Sequence, residues 1–408
     1  MKFIVVLADG MADYPIAELD KKTPLEFAQT PNFDLLASQG LMGMVKTVPD
    51  NLAPGSDTAN LSVLGYDPEI YYSGRSPFEA ASIGIPLELS DITFRCNLVT
   101  LSEDEPYEEK TILDHSADEI TTAEGTELIN FINEKFKTKE LEFYPGISYR
   151  HILVWHQAPK NYKLTPPHDI LTQKIGAYLP SGADSALLYE MMKNSYDLLN
   201  NHPVNIKRQA RGLRPANSIW LWGEGHKPAL SPFAEKYNLQ GSVISAVDLV
   251  KGIGKCIGLK TVEVEGATGN VNTNFSGKAK AALRELKNGQ DFVYIHLEAP
   301  DECGHRAELE NKVRAIELID KEIVGLLLSE LKGQAFKIMV LPDHATPLSV
   351  RTHTSDPVPF VIFDSTKAQE KKKAFFNEKT AFQTGLYIEK GYRLMDMFIN
   401  GKAVASDS

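Results

Sequence analysis

Aspartate and histidine residues stand where apolar runs of the chain end. Asp9 ends the run from Phe3 to Ala8, and similar acids follow the runs 292–297 and 337–341. Singly, such an acid is typical of a turn or a helix cap, but as a set these residues supply the oxygen and nitrogen ligands that Mn²⁺, Zn²⁺ or Mg²⁺ accept. The sequence therefore predicts divalent-metal binding by Asp9, Asp301, His305, Asp343, His344 and His353.

Ser56 is the candidate nucleophile. It stands in Pro54-Gly55-Ser56-Asp57-Thr58, a turn leading into a predicted helix. One interpretation makes Ser56 the N-cap of that helix. The other makes it a nucleophile, since a helix N-terminus favours developing negative charge and a bound divalent metal activates a coordinated hydroxyl. The residues alone leave both interpretations open.

Strand-like runs recur with a helical pattern between them, which predicts an α/β fold with a mainly parallel sheet. The runs are 3–8, 292–297, 337–341 and 359–363, and apolar residues from Val313 to Leu331 recur at steps of three and four. In such a sheet the carboxyl ends of the strands carry the functional groups. The acids near residue 9 and beyond residue 300 must then converge on one site.

The middle of the chain differs in pattern and predicts a smaller inserted α+β domain. Short strands at 91–100 and 151–155, Pro-rich connections and a helix at 185–199 belong to it. We predict a discontinuous catalytic domain, 1–89 with 216–408, and an inserted substrate-binding or lid domain, 90–215. The charge-rich stretch 367–379 is typical of a solvated surface segment.

The amino-acid composition limits the classes of partner that the protein can have. The 408 residues carry a formal net charge of −11, which argues against nucleic acid or an anionic membrane as a partner. No apolar stretch is long enough for a transmembrane helix, and the six-residue run after Lys2 is too short for a signal peptide. Three widely spaced cysteines fit a reducing compartment, so we expect a cytoplasmic protein. The oligomeric state stays open.

The ordered set of Asp9, the block at 54–57, Asp301 with His305, Asp343-His344 and His353 resembles the pattern of the alkaline phosphatase superfamily. More narrowly, the chain is similar to archaeal-type cofactor-independent phosphoglycerate mutases over nearly its whole length. Further stretches carry this resemblance: Gly65-Tyr66-Asp67-Pro68, Gly74-Arg75-Ser76-Pro77, Phe94-Arg95-Cys96-Asn97, Pro215-Ala216-Asn217-Ser218-Ile219-Trp220, Glu265-Gly266-Ala267-Thr268-Gly269 and Pro357-Val358-Pro359-Phe360.

The resemblance implies an alkaline phosphatase-like sheet with helices on both faces and two divalent metal ions, Mn²⁺, Zn²⁺ or Mg²⁺. It implies one ligand set of Asp9, Ser56, Asp343 and His344, a second of Asp301, His305 and His353, and a phosphorylated Ser56 during turnover. For the substrate we nominate His115, Arg150, Arg208, Arg211 and Arg214, because guanidinium groups match carboxylate and phosphate oxygens. Asp118 departs from the glycine expected after Ser116-Ala117 and brings a negative charge near an anionic substrate.

The implied activity is a step of glycolysis, the interconversion of 3-phosphoglycerate and 2-phosphoglycerate without 2,3-bisphosphoglycerate. Alternatives using the same serine are a homoserine kinase-like phosphotransferase and a phosphatase. A P-loop kinase is disfavoured because the Gly-x-x-x-x-Gly-Lys-Ser/Thr motif is missing from the sequence. A non-catalytic metal-stabilised binding protein is disfavoured because the serine stands alongside every ligand.

Overall fold

The first strand of the chain lies in the middle of a large sheet, as its sequence predicts. In the computed structural model, which describes residues 1–367 and 374–401, residues Ile4 to Ala8 are completely buried. A continuous apolar run with β-branched residues is typical of a strand covered on both faces. The three lysines at 371–373 of the charge-rich stretch lie outside the described residues.

The described residues form thirteen strands and sixteen α-helices. The strands are β1 Lys2–Ala8, β2 Leu41–Val45, β3 Ile92–Leu101, β4 Ile112–Asp114, β5 Leu141–Tyr144, β6 Arg150–Trp155, β7 Ser218–His226, β8 Gly241–Ile244, β9 Lys260–Val262, β10 Phe292–Leu297, β11 Phe336–Leu341, β12 Val358–Asp364 and β13 Tyr387–Ile388. The helices are α1 Pro24–Phe27, α2 Pro31–Gln39, α3 Ser56–Val63, α4 Pro68–Tyr71, α5 Ser76–Ser82, α6 Thr122–Phe136, α7 Ala186–Asn200, α8 Pro203–Ala210, α9 Phe233–Tyr237, α10 Asp248–Cys256, α11 Phe275–Lys287, α12 Ala299–Arg306, α13 Leu309–Leu318, α14 Leu326–Glu330, α15 Glu378–Gln383 and α16 Leu394–Asn400.

The large sheet has the strand order β13-β2-β12-β11-β1-β10-β8-β9. The run β11-β1-β10-β8-β9 is parallel throughout, and β12 is antiparallel to both of its neighbours, β11 and β2. Strand β1 ends in register with its neighbours, since Ala8 lies opposite Leu297 and Leu7 lies opposite Leu341. The carboxyl ends of the three central strands therefore lie at the same edge of the sheet. The predicted mainly parallel sheet is confirmed.

Helices cover both faces of this sheet. On one face, Ile4 and Val6 pack with α2, α11 and α13 in a single apolar cluster. On the other, Phe3 meets Phe398 of α16 edge to face, with ring centroids 5.7 Å apart. Between α13 and α14 the chain continues as a π-helix, Ile319–Gly325, so the predicted apolar periodicity from 313 to 331 spans one interrupted helical segment. The predicted α/β architecture with helices on both faces is confirmed.

The chain divides into two compact units, the first formed by Met1–Tyr72 with Leu230–Ser408 and the second formed by Ser73–Ala229. The second unit holds an antiparallel sheet in which β3 pairs with β4, β6 and β7, and β6 pairs with β5. Its own core joins that sheet to α6 and α7 through residues such as Leu128, Ile132 and Met192. The predicted smaller α+β domain is present.

The predicted domain limits at 90 and 215 both fall inside this second unit. Strand β7 pairs with β3 along most of its length, so the chain beyond 215 still belongs to the smaller sheet. On the other side, Ser76 of α5 donates its hydroxyl to the Thr93 carbonyl at 3.0 Å. The pairing of β7 with β3 and the contact of Ser76 with Thr93 therefore join residues on the outer side of both predicted limits to the smaller sheet.

Candidate active site

Three aspartates meet at the carboxyl edge of the parallel sheet. Asp9 directly follows β1, Asp343 follows β11, and Asp301 lies in the first turn of α12, which begins just beyond β10. Because β11, β1 and β10 are adjacent and parallel, their carboxyl ends share one edge, where ligands of open α/β sheets bind. All three aspartates are buried, with exposures of 2%, 0% and 6% for Asp9, Asp343 and Asp301.

Gly10 allows this close approach. Its φ is +62°, and a Cβ at this position would lie 2.6 Å from the Asp301 Cα and from the Thr346 Oγ1. Only glycine meets both conditions without moving the neighbouring backbone. The Gly10 amide also donates to Asp343 Oδ1 at 3.3 Å, so the turn after β1 connects two of the acids.

Ser56 lies among these groups at the start of α3. Its Oγ is 3.2 Å from His344 Nε2 and 3.5 Å from Asp9 Oδ2. The N-cap position of α3 is occupied by Gly55 rather than Ser56, so the hydroxyl faces the acids and the histidine instead of closing its own helix. This position does not support the N-cap interpretation of Ser56, and its role as a nucleophile stays a prediction.

His305 and His353 face Asp301. His305 Nε2 lies 3.3 Å from Asp301 Oδ2 and His353 Nε2 lies 3.5 Å from Asp301 Oδ1. The two Nε2 atoms are themselves only 3.0 Å apart. His305 and Asp301 reach this geometry because they are four residues apart on α12.

His344 stands between the two predicted ligand sets. Its Nε2 is 3.5 Å from Asp9 Oδ1 and from Asp343 Oδ2, and its ring lies 4.1 Å from the ring of His353. Asp301, His344 and His353 offer three ligand atoms within 4.8 Å of one another, and so do Asp9, His296 and Asp343. All seven residues predicted as metal ligands are thus gathered at one edge of the first unit.

The pKa values of Asp9 and Asp301 are shifted in opposite directions. Burial raises the pKa of Asp9 well above its usual range, and the nearby Asp343 and Asp301 raise it further. Burial also opposes ionisation of Asp301, but hydrogen bonds from His305 and His353 outweigh it and hold the pKa of Asp301 well below the usual range. The same contact with Asp301 raises the pKa of His305 to about 9. Histidine hydrogen bonds thus favour the ionised form of Asp301, whereas burial and the neighbouring acids disfavour the ionised form of Asp9.

The residues fit divalent cations. Asp9 Oδ1 is buried and, within the described part of the chain, has no hydrogen-bond partner. A buried carboxylate oxygen left in this state is costly, and a cation is the partner that removes the cost. The donor set of aspartate oxygens, imidazole nitrogens and one serine hydroxyl matches the ligands of Mn²⁺, Zn²⁺ or Mg²⁺.

Asn60 and Tyr294 position Asp343, and the sequence analysis missed both. Asn60 Nδ2 donates to Asp343 Oδ2 at 2.9 Å and to the Ser56 carbonyl at 2.8 Å. The Tyr294 hydroxyl donates to Asn60 Oδ1 at 2.7 Å. The signal available for Asn60 was its place one helical turn after Ser56. For Tyr294, nothing in an otherwise apolar run distinguished it from a core residue.

In the second unit, His115 and Arg150 belong to a cluster that we call the basic aromatic cluster, formed by Arg95, His115, Tyr149, Arg150, His168 and Trp222. The His115 ring meets Tyr149 and His168 edge to face, with centroids 5.6 and 6.3 Å away. Arg150 lies 5.6 Å from the Tyr149 ring, and Arg95 lies 4.3 Å from the Trp222 ring. Burial lowers the pKa of His168, although Asp169 opposes this effect, and the charge of Arg95 lowers it further.

The other three nominated arginines are bound within the second unit. Arg208 is 2% exposed, donates to Glu124 Oε2 at 2.8 Å and also donates to two backbone carbonyls. Arg211 pairs with the same Glu124. Arg214 pairs with Asp114 at 2.8 Å and with Asp118 at 3.3 Å. The charge of Asp118, which departs from the expected glycine, is therefore balanced by Arg214.

Comparison with known proteins identifies the family. A family model described as 2,3-bisphosphoglycerate-independent phosphoglycerate mutase matches residues 37–205. A probable enzyme of that name from Geobacter sulfurreducens is 48% identical, over 98% of this chain and 100% of its own. One from Methanosarcina barkeri is 46% identical over the same shares. The chain belongs to the 2,3-bisphosphoglycerate-independent phosphoglycerate mutase family.

Solved structures agree with this family assignment. A protein from Pyrococcus horikoshii has a TM-score of 0.82 at 31% identity, covering 99% of this chain and 98% of its own. The cofactor-independent phosphoglycerate mutase from Thermoplasma acidophilum has a TM-score of 0.69 at 25% identity, covering 99% and 100%. The resemblance to this mutase family found in the sequence is confirmed. Among the described residues, no helix combines the length and apolarity needed to cross a membrane.

Proposed function

We propose that the protein interconverts 3-phosphoglycerate and 2-phosphoglycerate through a phosphoserine at Ser56, without 2,3-bisphosphoglycerate. The observation that carries this proposal is the position of the Ser56 hydroxyl, 3.2 Å from His344 and 3.5 Å from Asp9 at the edge where three buried aspartates meet. A hydroxyl in that position serves as a nucleophile toward phosphorus rather than as a helix cap. The names of the relatives supply the substrate class.

We further propose that two divalent cations are held in the ligand sets inferred from the sequence. One set is Asp9, Ser56, Asp343 and His344, and the other is Asp301, His305 and His353. Bound cations of this kind promote loss of the serine proton and offset phosphate charge. The chain's own contribution is to fix these side chains, through Asn60 on Asp343 and through Gly10 beneath Asp301.

The reaction needs two displacements at phosphorus. In the first, Ser56 Oγ bonds to phosphorus, the bond from phosphorus to the substrate oxygen breaks, and the proton lost by the serine is balanced by the one gained by the departing glycerate oxygen. In the second, the other hydroxyl of the bound glycerate attacks phosphorus, and the Ser56 oxygen regains a proton. Water must be excluded between the two displacements, because hydrolysis of the phosphoserine would make the protein a phosphatase.

For the glycerate part of the substrate we propose the basic aromatic cluster, with His115 and Arg150 as the groups that contact it. Arg150 is exposed and forms no ion pair within the described part of the chain, so its guanidinium group is available to a carboxylate. Arg208 already satisfies its donors inside the protein, and we assign it a structural role. The function of the second unit as a lid stays a prediction.

The deciding experiment mixes the purified protein and Mn²⁺ with either 3-phosphoglycerate or homoserine plus ATP. Phosphorus NMR then monitors the phosphorylated products of each mixture. We expect 2-phosphoglycerate to accumulate from the first mixture without release of inorganic phosphate, and no phosphohomoserine from the second. Release of inorganic phosphate alone would assign a phosphatase, and phosphohomoserine would assign the kinase-like alternative. Mass spectrometry after brief exposure to substrate should find phosphate on the peptide that contains Ser56.

A further inference from the structure

His296 lies under the metal-ligand cluster, and no part of the proposed function uses it. It is the fifth residue of β10, completely buried, and its Nε2 lies 2.9 Å from Asp9 Oδ2. Its Nδ1 lies 3.2 Å from the hydroxyl oxygen of Ser245, the residue that follows β8. Ser245, His296 and Asp9 thus form a continuous chain of contacts across the carboxyl ends of β8, β10 and β1.

The direction of the hydrogen bonds follows from what each atom can do. With the proposed cation bound, Asp9 is ionised and only accepts, so the contact at 2.9 Å then requires a proton on His296 Nε2. In a neutral imidazole Nδ1 is then the acceptor, and the Ser245 hydroxyl must donate to it. Ser245 Oγ in turn accepts from the Val247 amide at 2.9 Å, which orients the hydroxyl. Each member of the chain donates to the next, and the chain ends on Asp9.

The backbone of His296 is anchored as well. Lys278 of α11 is 1% exposed and donates from Nζ to the His296 carbonyl at 3.1 Å. Strand pairing holds the residue from one side, because His296 lies opposite Leu7 of β1. With its backbone and both ring nitrogens fixed, the imidazole cannot turn away from Asp9.

The consequence for Asp9 is that its two oxygens become different. Oδ2 accepts from His296, whereas Oδ1 is buried without a hydrogen-bond partner among the described residues and lies 3.5 Å from His344 Nε2. We infer that His296, oriented by Ser245, is a positioning residue that fixes Asp9 so that Oδ1 faces the cation, and that His296 is not itself a ligand. This inference rests on the proposed metal binding, and it adds two residues to those that the site requires.

The test is a titration of the metal-free protein with Mn²⁺, followed by the electron paramagnetic resonance signal of the free ion. We expect two bound ions in the wild type. In His296→Ala one site should weaken by about 10–100-fold, the usual effect of losing a group that orients a ligand, while the other keeps its affinity and so reports an intact fold. In His296→Gln an amide N–H can donate to Asp9, and most of the affinity should return.

A second pair of variants tests the same inference without altering the histidine. Ser245→Ala should weaken the same site less than His296→Ala does, and Ser245→Thr, which keeps the hydroxyl, should restore it. Ser242→Ala is the matched control, since Ser242 is a buried serine of β8 whose hydroxyl bonds to Glu285 instead. It should bind Mn²⁺ like the wild type.

Each remaining outcome counts against a defined part of the argument. Two sites of unchanged affinity in both His296→Ala and Ser245→Ala would overturn the inference while leaving the mutase proposal standing. A His296→Gln variant as weak as His296→Ala would make His296 a ligand rather than a positioning residue. A wild type that binds no Mn²⁺ would overturn the metal proposal and this inference together.

Discussion

The two units of the protein differ in whether their buried or clustered charged side chains have partners of the opposite charge. At the sheet edge of the first unit, Asp9, Asp301 and Asp343 are buried together, and one oxygen of Asp9 has no hydrogen-bond partner among the described residues. In the second unit, Arg208 and Arg214 are matched by Glu124, Asp114 and Asp118. A surplus of one charge in a buried place must be relieved, either by a change of protonation or by a ligand of the opposite charge. A balanced set needs no ligand, so charge balance separates functional groups from structural ones.

The same comparison divides the basic residues of the second unit. Arg150 is exposed beside Tyr149, whereas Arg208 is enclosed by its partners. The turn around Asp118 also belongs to the balanced set. Ala117, Asp118 and Glu119 have φ values of +50°, +54° and +49°, and at the position where glycine was expected an aspartate adopts this backbone and is paired with Arg214. Arginine in a sequence is therefore a weaker sign of substrate binding than an unpaired arginine in a structure.

Removing the Ser56 hydroxyl tests the unbalanced site most severely. Ser56→Ala should reduce mutase activity by several orders of magnitude, because the covalent step is lost altogether. The free energy of unfolding should decrease by only about 1 kcal/mol, the usual net contribution of one hydrogen bond. A larger loss is not expected, because Gly55 and not Ser56 occupies the N-cap position of α3. Steady-state kinetics and thermal unfolding measure the two effects.

The matched control for this substitution is Ser62→Ala, at a buried serine of the same helix. It should keep the catalytic rate. If Ser56→Ala turns over at near the wild-type rate, the phosphoserine mechanism is wrong.

Metal removal should reveal the repulsion among the acids. We expect saturating Mn²⁺, at about 100 times its dissociation constant, to stabilise the wild type by about 2.7 kcal/mol per independent site. In the metal-free protein, Asp9→Asn should raise the unfolding temperature, because it removes a carboxylate whose pKa burial and two neighbouring aspartates raise. With Mn²⁺ bound, the wild type should have the higher unfolding temperature of the two. A metal-free Asp9→Asn protein less stable than the metal-free wild type would contradict the assignment of charge surplus.

Two arginine substitutions should separate substrate binding from structure. Arg150→Ala should raise KM for 3-phosphoglycerate by about tenfold or more, the effect of losing one charge-assisted contact, without changing the unfolding temperature. Arg208→Ala should destabilise the protein by about 3 kcal/mol, because Glu124 and two carbonyls lose a buried donor. Equal effects of both variants on stability and KM would remove the distinction between the two sets.

Most of the fold could be predicted from the sequence, because its signals are local. The runs 3–8, 292–297 and 337–341 become β1, β10 and β11, and acids directly after them must share an edge once the strands are parallel. The domain limits could not be read in the same way, because they depend on β7 pairing with β3, residues more than a hundred positions away. The role of His296 was hidden for a similar reason, since its partners Asp9 and Ser245 are distant in the chain.

Glu378 offers the mildest test, because it forms a small charge surplus inside the first unit. Lys312 pairs with Asp13 at 2.7 Å, and Glu378 accepts from the Asp13 amide and the Thr23 hydroxyl nearby. One lysine thus faces two acids, and burial raises the pKa of Glu378 from its ordinary 4.5 to about 7, although Lys312 opposes this effect.

A group whose pKa is raised on folding binds its proton more tightly in the folded state, so its contribution to stability declines as pH rises from about 4.5 to about 7 and is constant above. Glu378→Gln removes this titration. The free energy of unfolding of the variant, relative to wild type, should therefore increase between pH 5 and about pH 7.5, as measured by urea unfolding at each pH. Glu310→Gln, at an exposed glutamate, is the control for the substitution itself. A relative stability that falls over this range would mean that Lys312 stabilises Glu378 as an anion. The acids of this unit that lie away from the sheet edge would then be compensated by a cation.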